Sequence, residues 1–447
     1  MPRLSPRFLL AAALASLCAA PAPAQTPVQT PTQTQGDTPF GAAEVEAAAY
    51  GGTGGLPSGR SALTTKVQVL LDRAGISPGV IDGFKGGMSR SALMAFERRS
   101  GLPIDGEMDP HVWNLLQSFA AQPVTQDYTI TAEDGQGLVD AIPSDYAEKA
   151  QMEAMAHTSI AERLGERFHM DEKFIAFLNP GTDLVPGATI RVVNPGARMR
   201  GTVTRLLVDV NTRRVAGFAA DGRLLVDYPA TIGSAATPSP SGSHRVATVA
   251  LNPNYTYDPR KNFQQGDNDT PLVVPPGPNA PVGTVWIGLS KPSYGIHGTP
   301  TPSQLFVNQS MGCVRLTNWD AEELAHMVRA GETVAEFLPA GVTIADATGV
   351  PVAETPPSEP LETPAAAGPA PVQAVPDQPG PAEPAAPLDY TDPLAAKRAP
   401  AEPVYENTSE EEADALVAND PLSDALSGAL PDGFVVPPVT SPAAGQP

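Results

Sequence analysis

The sequence predicts a multidomain α+β protein: a small three-helix domain, a small α+β module, a β-sandwich-like domain and a disordered acidic Pro/Ala-rich tail over 341–447. Three observations carry this reading. The 447 residues include 51 Pro and 40 Gly but only 6% aromatics, which fits modules joined by low-complexity stretches better than one large globule. Helical periodicity dominates 61–120 and 159–178, whereas 201–340 is rich in β-branched or alternating runs, as strands are, with one amphipathic helix near its end. The stretch 341–447 holds 21 Pro, 17 Asp or Glu and 2 basic residues, too little apolar surface to offset the entropy of ordering it. That tail supplies most of the net charge of −21. With no basic stripe to offset phosphate charge, nucleic acid is excluded as the main partner.

Taken in order, the chain starts with an export signal. Arg3 and Arg7 form a positive n-region and Phe8 to Ala20 an apolar run too short to span a bilayer. Ala22-Pro23-Ala24 offers a small-x-small cleavage site, giving a signal peptide over 1–24 and an expected periplasmic location. Leu17 before Cys18 argues against a lipidated cysteine. Residues 25–60, rich in Gln, Thr, Pro, Ala and Gly, read as a flexible linker.

Within 61–120, Val67, Leu70 and Leu71 follow a helical period that Gly75 ends. Ser89 is expected to cap a second helix with Ala92, Leu93 and Phe96 inward, and Asp109 to Leu116 reads as a third. Within 125–195, helices are expected over Ser159–Phe168, capped near Thr158, and Asp171–Leu178, with a strand over Thr189–Val193. His169 reads as a helix-surface or core residue. In 201–340, strands are expected at Leu206–Val210, Val215–Phe218, Leu224–Tyr228, Val246–Leu251 and Thr284–Leu289, then an amphipathic helix over Asp320–Val328.

Cysteine use sharpens the search for chemistry. With Cys18 in the signal, Cys313 is the single mature cysteine and has no internal disulfide partner. It follows His297 by 16 positions, in Tyr294-Gly295-Ile296-His297-Gly298-Thr299 and Ser310-Met311-Gly312-Cys313-Val314-Arg315-Leu316. An imidazole near a thiol can take its proton and raise the thiolate fraction through an ion pair. Gly312 allows close approach of backbone to a substrate, and amides around Cys313 offer an oxyanion site. Arg315, two residues on, is expected on the same strand face, where it can bind a carboxylate. Spacing alone leaves two readings open, a catalytic thiol and a buried structural cysteine. The other His residues show no metal-ligand spacing, so neither a metal nor a cofactor is implied.

The His297-Gly298 and Ser310-to-Arg315 segments resemble the catalytic domain of the L,D-transpeptidases (YkuD-like), over about 140 residues. Thr237-Pro238-Ser239-Pro240-Ser241-Gly242, Pro275 to Asn279 and Trp286-Ile287-Gly288-Leu289 extend the likeness. Val67-Gln68, Gly75, Asp82-Gly83, Gly101-Leu102-Pro103, Asp105-Gly106 and Trp113 resemble a three-helix peptidoglycan-binding domain, with Glu97 where that family usually has Gln. Ile160 to His169 and Leu178-Asn179-Pro180 resemble a divergent LysM-like repeat, a glycan-binding module.

The resemblance implies that Cys313 is the nucleophile and His297 the base, oriented by the Gly298 carbonyl. It implies that Ser310, Met311, Gly312 and Arg315 line the site, with Met311 where many members have a second His and Ala280 in place of a frequent Asn. The substrate it implies is peptidoglycan, stem peptides and glycan strands together. The acceptor is left open among a second stem peptide, an outer-membrane lipoprotein and water, and no oligomeric state is implied. A competing class is a non-catalytic wall-binding scaffold, in which Met311 marks a decayed site.

Overall fold

The structure is a computed structural model that describes residues 39–349, apart from 234–236, 262, 308, 309 and 311. Signal, early linker, Met311 and the tail from 350 lie outside the described residues. The chain falls into two units, Met1–Asp37 and Thr38–Pro447, and everything described belongs to the second.

The first part is helical. Ala42–Ala47 (α1), Ala62–Arg73 (α2), Gly87–Ser100 (α3) and Pro110–Leu116 (α4) pack together. Ser61 caps α2 by accepting from the Thr64 amide, and Asp109 caps α4 with Pro110 at its first position. The cap of α3 is Gly86, not Ser89. Ser89 lies inside the first turn, where its hydroxyl accepts from Gln68 and donates to the Phe84 carbonyl. The expected linker also needs correction beyond residue 38. Val45 and Leu56 are buried, Phe40 packs edge-on against Phe177 at 5.0 Å, and Glu46 accepts from the Thr125 amide. These scattered apolar residues lack periodicity, so composition hid them.

Several residues behind the peptidoglycan-binding likeness are spent on the fold itself. Gln68 donates to Asp82 at 2.8 Å and accepts from the Gly83 amide at 2.8 Å. Glu97 accepts from the amides of Asp105 and Gly106 at 2.9 and 2.8 Å. Burial, with the Asp105 charge adding to it, pushes the Glu97 carboxyl up to about 8. It is therefore protonated at neutral pH and stands in for the neutral Gln usual at that position. A folded-state pKa raised above the unfolded value costs stability as pH rises from about 4.5 toward 8. E97Q is expected to leave the melting temperature unchanged at pH 4 and raise it at pH 8 to 9; an equal shift at both pH values would rule out a protonated Glu97.

Next come Thr125–Thr129 (β1), Tyr146–Lys149 (α5), Ile160–Phe168 (α6), Glu172–Leu178 (α7) and Thr189–Val193 (β2), with β1 antiparallel to β2. Ser159, one residue after the expected cap, closes α6. This α+β unit does not own a separate core. Leu70, Leu71, Phe96, Leu164, Phe174 and Ile190 belong to one buried cluster shared with α1–α4, so the boundary expected near 120 is not a packing boundary.

The remaining strands are Arg205–Asp209 (β3), Arg214–Phe218 (β4), Leu224–Pro229 (β5), Gly242–Leu251 (β6), Tyr255–Tyr257 (β7), Leu272–Val274 (β8), Val285–Leu289 (β9), Gly295–His297 (β10), Val314–Arg315 (β11) and Val334–Phe337 (β12). Asn318–Met327 (α8) packs on the inner face, and Ile344–Thr348 (α9) follows β12. The expected sandwich is in fact one curled eight-stranded mixed sheet, in the order β11-β10-β9-β6-β12-β3-β4-β5, beside a β7–β8 hairpin. β6 makes the turn between layers. Its first residues pair with β12 and its last with β9, with a register shift between Val246 and Thr248. The tail boundary also moves, because Ile344 is fully buried against β3 and β4.

The helical part is bonded to the sheet. Asp227 exchanges backbone bonds with the segment after α2: the Ser77 amide donates to the Asp227 carbonyl (2.9 Å), and the Asp227 amide donates to the Gly75 carbonyl (2.8 Å). The segment after α2 thus covers β5, the edge strand. The same segment reaches the α+β unit, with Ile81 N to His169 O at 2.7 Å. His169 itself bonds Asp72 at 2.8 Å and stacks on Trp319 with centroids 5.2 Å apart. It is a structural residue where three parts of the molecule meet.

Candidate active site

β10 and β11 bring the two halves of the His/Cys motif together. They run parallel, with Ile296 opposite Val314 and His297 opposite Arg315. Cys313 directly precedes β11. Two residues before Arg315, it returns to the face that carries His297. β9 runs antiparallel on the other side of β10 and places Trp286 opposite His297. The two rings stack with centroids 5.6 Å apart. Trp286 and Cys313 share a buried cluster, so thiol, imidazole and indole form one patch of one sheet face. Gly295 is required there, because a Cβ on it would lie 2.6 Å from the indole.

His297 is fully buried and its Nδ1 sits 2.7 Å from the Gly298 carbonyl. A carbonyl only accepts, so Nδ1 carries the hydrogen and Nε2 is the proton-accepting nitrogen. Burial and, after it, the Arg315 charge hold the imidazole down at about 3, against the pull of the Gly298 and Val282 carbonyls. The Cys313 sulfur lies 3.6 Å from the Ser293 carbonyl, which takes its S–H. An imidazole held this low is neutral at pH 7. Protonation blocks a general base, and a lowered pKa moves that block to lower pH. kcat/KM is expected to stay within about 2-fold between pH 7.5 and 5, where an imidazole at its ordinary 6.5 predicts a loss of about 30-fold; a fall of that size on the acid limb contradicts a neutral His297.

The loop before Cys313 is braced from inside. Ser310 Oγ donates to the Cys313 carbonyl at 2.5 Å and accepts from the Gly312 amide at 3.2 Å. Thr237 donates to the Ser310 carbonyl and Ser239 to the Gly312 carbonyl, at 2.9 and 2.6 Å. Gly312 has φ of +111°, and a Cβ there would lie 2.8 Å from Tyr294, so glycine is needed on both counts. Ser310 and Gly312 thus shape the nucleophile loop, and the Gly312 amide is engaged by Ser310 at rest. Met311 lies outside the described residues. Arg315 exchanges backbone bonds with Thr231 at 2.9 and 3.0 Å and stays in the row Trp286–His297–Arg315.

Two contributors were not visible in the sequence. One is the segment between β1 and α6. Met155 is held between the Pro276 carbonyl and the Asn279 amide, both at 2.9 Å, and Tyr146 stacks on Tyr257 at 4.4 Å. Tyr146, Met155, Tyr257 and Cys313 belong to one cluster, so this segment walls the thiol side of the site. The other is Asn318 at the start of α8. Its Nδ2 donates to Glu166 at 2.5 Å and to the Pro278 carbonyl at 3.1 Å, and its Oδ1 accepts from the Thr284 amide at 3.3 Å. That oxygen sits so close to Gly298 and Gly283 that a Cβ on either would approach within 2.2 and 2.0 Å. Glu166, on α6, thus holds Asn318 against the peptide whose carbonyl orients His297. E166A is expected to lower kcat roughly 10-fold through misplacement of the base, with KM unchanged. E166Q, which keeps an acceptor, is expected to recover most of it. Equal loss in both variants, tracking a lower melting temperature, would mark a purely structural role.

The sheet presents a buried thiol and a buried imidazole on one face, and comparison with known proteins places the fold in a family. The L,D-transpeptidase catalytic domain model (YkuD) matches residues 203–336, and a peptidoglycan-binding domain model (PG_binding_1) matches 60–116. The protein named L,D-transpeptidase YkuD in Bacillus licheniformis is 30% identical over 177 residues, 39% of this chain and 90% of that protein. L,D-transpeptidase ErfK/SrfK of Escherichia coli is 29% identical over 164 residues, 35% of this chain and 52% of that one. Thus the chain spans nearly all of the first relative and about half of the second. A crystallised L,D-transpeptidase fragment from Xylanimonas cellulosilytica aligns at 13% identity and a TM-score of 0.31, covering 64% of this chain and 98% of that fragment. The chain belongs to the L,D-transpeptidase (YkuD) family, as an enzyme of that type with an N-terminal peptidoglycan-binding domain.

Proposed function

We propose that the protein is a periplasmic peptidoglycan L,D-transpeptidase that forms 3–3 crosslinks. The observation that carries this is the placement of Cys313 and His297 on one face of adjacent parallel strands, with Nδ1 pinned by Gly298 and Nε2 left as base. The Cys313 sulfur attacks the carbonyl carbon of meso-diaminopimelate in a tetrapeptide stem while His297 takes the thiol proton. The C–N bond to the terminal D-Ala breaks, and His297 returns the proton to the departing amine. A side-chain amine of a second stem then attacks the thioester carbonyl, giving a proton to His297, which passes it to the Cys313 sulfur as the C–S bond breaks. Burial of both Cys313 and His297 favours an amine delivered by a bound acceptor over bulk water. On this reading the α1–α4 part and the LysM-like unit hold stem peptide and glycan. Two binding surfaces in one body raise the local concentration of substrate on an insoluble polymer.

The test is incubation of the full mature chain with disaccharide-tetrapeptide, followed by mass spectrometry of the products. A Cys313-dependent 3–3 dimer is expected. Cys313-dependent tripeptide without dimer would shift the reading to a carboxypeptidase or to a lipoprotein acceptor absent from the mixture. No turnover at all would favour the wall-binding scaffold.

A further inference from the structure

A second concave site lies far from β10 and β11 in the sheet order, at the β4–β5 end of the sheet. It is a pocket of about 510 Å³ to which Arg98, Arg99, Arg200 and Arg223 all contribute. Four arginines lining one hollow are unexpected in a chain of net charge −21. Only Arg98 is fully committed, to the buried carboxylate of Asp227. Arg99 donates to the Ala74 carbonyl and lies over Phe119. Among the described residues neither Arg99 nor Arg200 has a carboxylate partner. Arg223 faces Asp221 at 3.9 Å, both about two-thirds exposed, a contact that contributes little. The floor is apolar, with Phe218 and Leu225. Like charges gathered over an apolar floor call for an anionic ligand that also has apolar groups.

The occupant is indicated by where the described chain leaves the fold. Thr348, the last residue of α9, lines this same pocket. From residue 350 onward the sequence carries 16 acidic residues and 2 basic ones, the first basic one being Lys397. The nearest carboxylates are Glu354, Glu359 and Glu362, interspersed with Pro356, Pro357 and Leu361. At about 3.5 Å per extended residue, Glu354 lies within roughly 20 Å of Thr348 along the chain. Attachment this close gives an effective concentration on the order of millimolar, so weak pairs suffice.

We propose that the arginine pocket is the docking site for this chain's own acidic segment Glu354–Glu362, laid across the seam between α3 and the β4–β5 turn. The carboxylates pair with Arg99, Arg200 and Arg223, and the proline and leucine side chains rest on Phe218 and Leu225.

The experiment uses the full chain with p-benzoylphenylalanine in place of Thr355. Irradiation is expected to yield intramolecular crosslinks to peptides containing Met199–Arg200 and Leu224–Leu225. Their yield should fall at least 5-fold in 0.5 M salt and in the doubly reversed variant R200E/R223E. Both substitutions are on exposed side chains, and circular dichroism verifies that the variant is folded. Crosslinks scattered over the surface, or unchanged in the variant, overturn the proposal. Links between isotopically light and heavy chains overturn it in favour of a second copy. Absence of links, together with salt-sensitive retention of the wild-type chain on a polyphosphate resin that R200E/R223E loses, overturns it in favour of an external polyanion.

Discussion

Cys313→Ala is expected to lower turnover of disaccharide-tetrapeptide by about 10,000-fold or more, with the melting temperature changed little. Among the described residues, the proposed chemistry places its nucleophile on the Cys313 sulfur beside the Trp286–His297–Arg315 row, and an enzyme that works through a covalent intermediate loses nearly all of its rate with that atom. Cys313 is 4% exposed and packs beside Trp286, so alanine leaves a small void without an unpaired charge. His297→Ala is expected to lose about 100- to 10,000-fold, the range for removal of a general base. The two losses should not add, because base and nucleophile act in the same step. Full additivity, or a Cys313→Ala variant that retains a tenth of the activity, is incompatible with the proposed chemistry.

The second large effect concerns stability. Asp227→Ala is expected to destabilise the protein by about 3–5 kcal/mol, because it strands two buried guanidinium groups. Asp227 is fully buried on β5 and binds both Arg98 of α3 and Arg214 of β4, each 7% exposed or less. Arg214 also donates to the Ser77 and Asp227 carbonyls at 3.0 and 2.8 Å. One carboxylate thus ties the helical part to the sheet at the point where the Gly75–Ile81 segment covers the β5 edge. Urea unfolding measures the loss, and limited proteolysis should cut first between α2 and α3. Exchanging all three charges for apolar residues of similar volume is expected to be far milder than Asp227→Ala, since no charge is then left unpaired. A loss below about 1 kcal/mol for Asp227→Ala would mean that the pair is solvated.

What was legible in the sequence follows from what is local. The α2, α6, α7 and α8 periods and the short apolar, β-branched runs of β3, β4, β5 and β9 are written in residues a few positions apart, and those elements formed where expected. Cys313 and His297 stood out because a lone cysteine and a Gly-flanked histidine are chemically conspicuous. β10 and β11 were missed as strands, since three and two residues around glycines carry no period. The partners of the site were hidden for a different reason. Glu166 meets Asn318 across 152 positions, Arg98 meets Asp227 across 129, and Met155 meets Pro276 across 121. No local pattern encodes such pairs, and each looks like an ordinary polar or apolar residue in its own segment. α1 failed to show because Pro, Gly and Ala around it mimic a linker, while its anchors are scattered: buried Val45, Phe40 against Phe177, and the Glu46 bond to Thr125. The shared core of α1–α4 with β1, β2, α6 and α7 was concealed in the same way, because periodicity identifies a buried face and says nothing of what covers it.

The measurement that bears most directly on the account is the intact mass of the protein quenched in acid during turnover of disaccharide-tetrapeptide. A disaccharide-tripeptide adduct is expected that maps to Cys313, is released by an added amine and is absent in Cys313→Ala. Crosslinked product formed with no adduct on the wild-type chain, or an adduct that persists in Cys313→Ala, would contradict it.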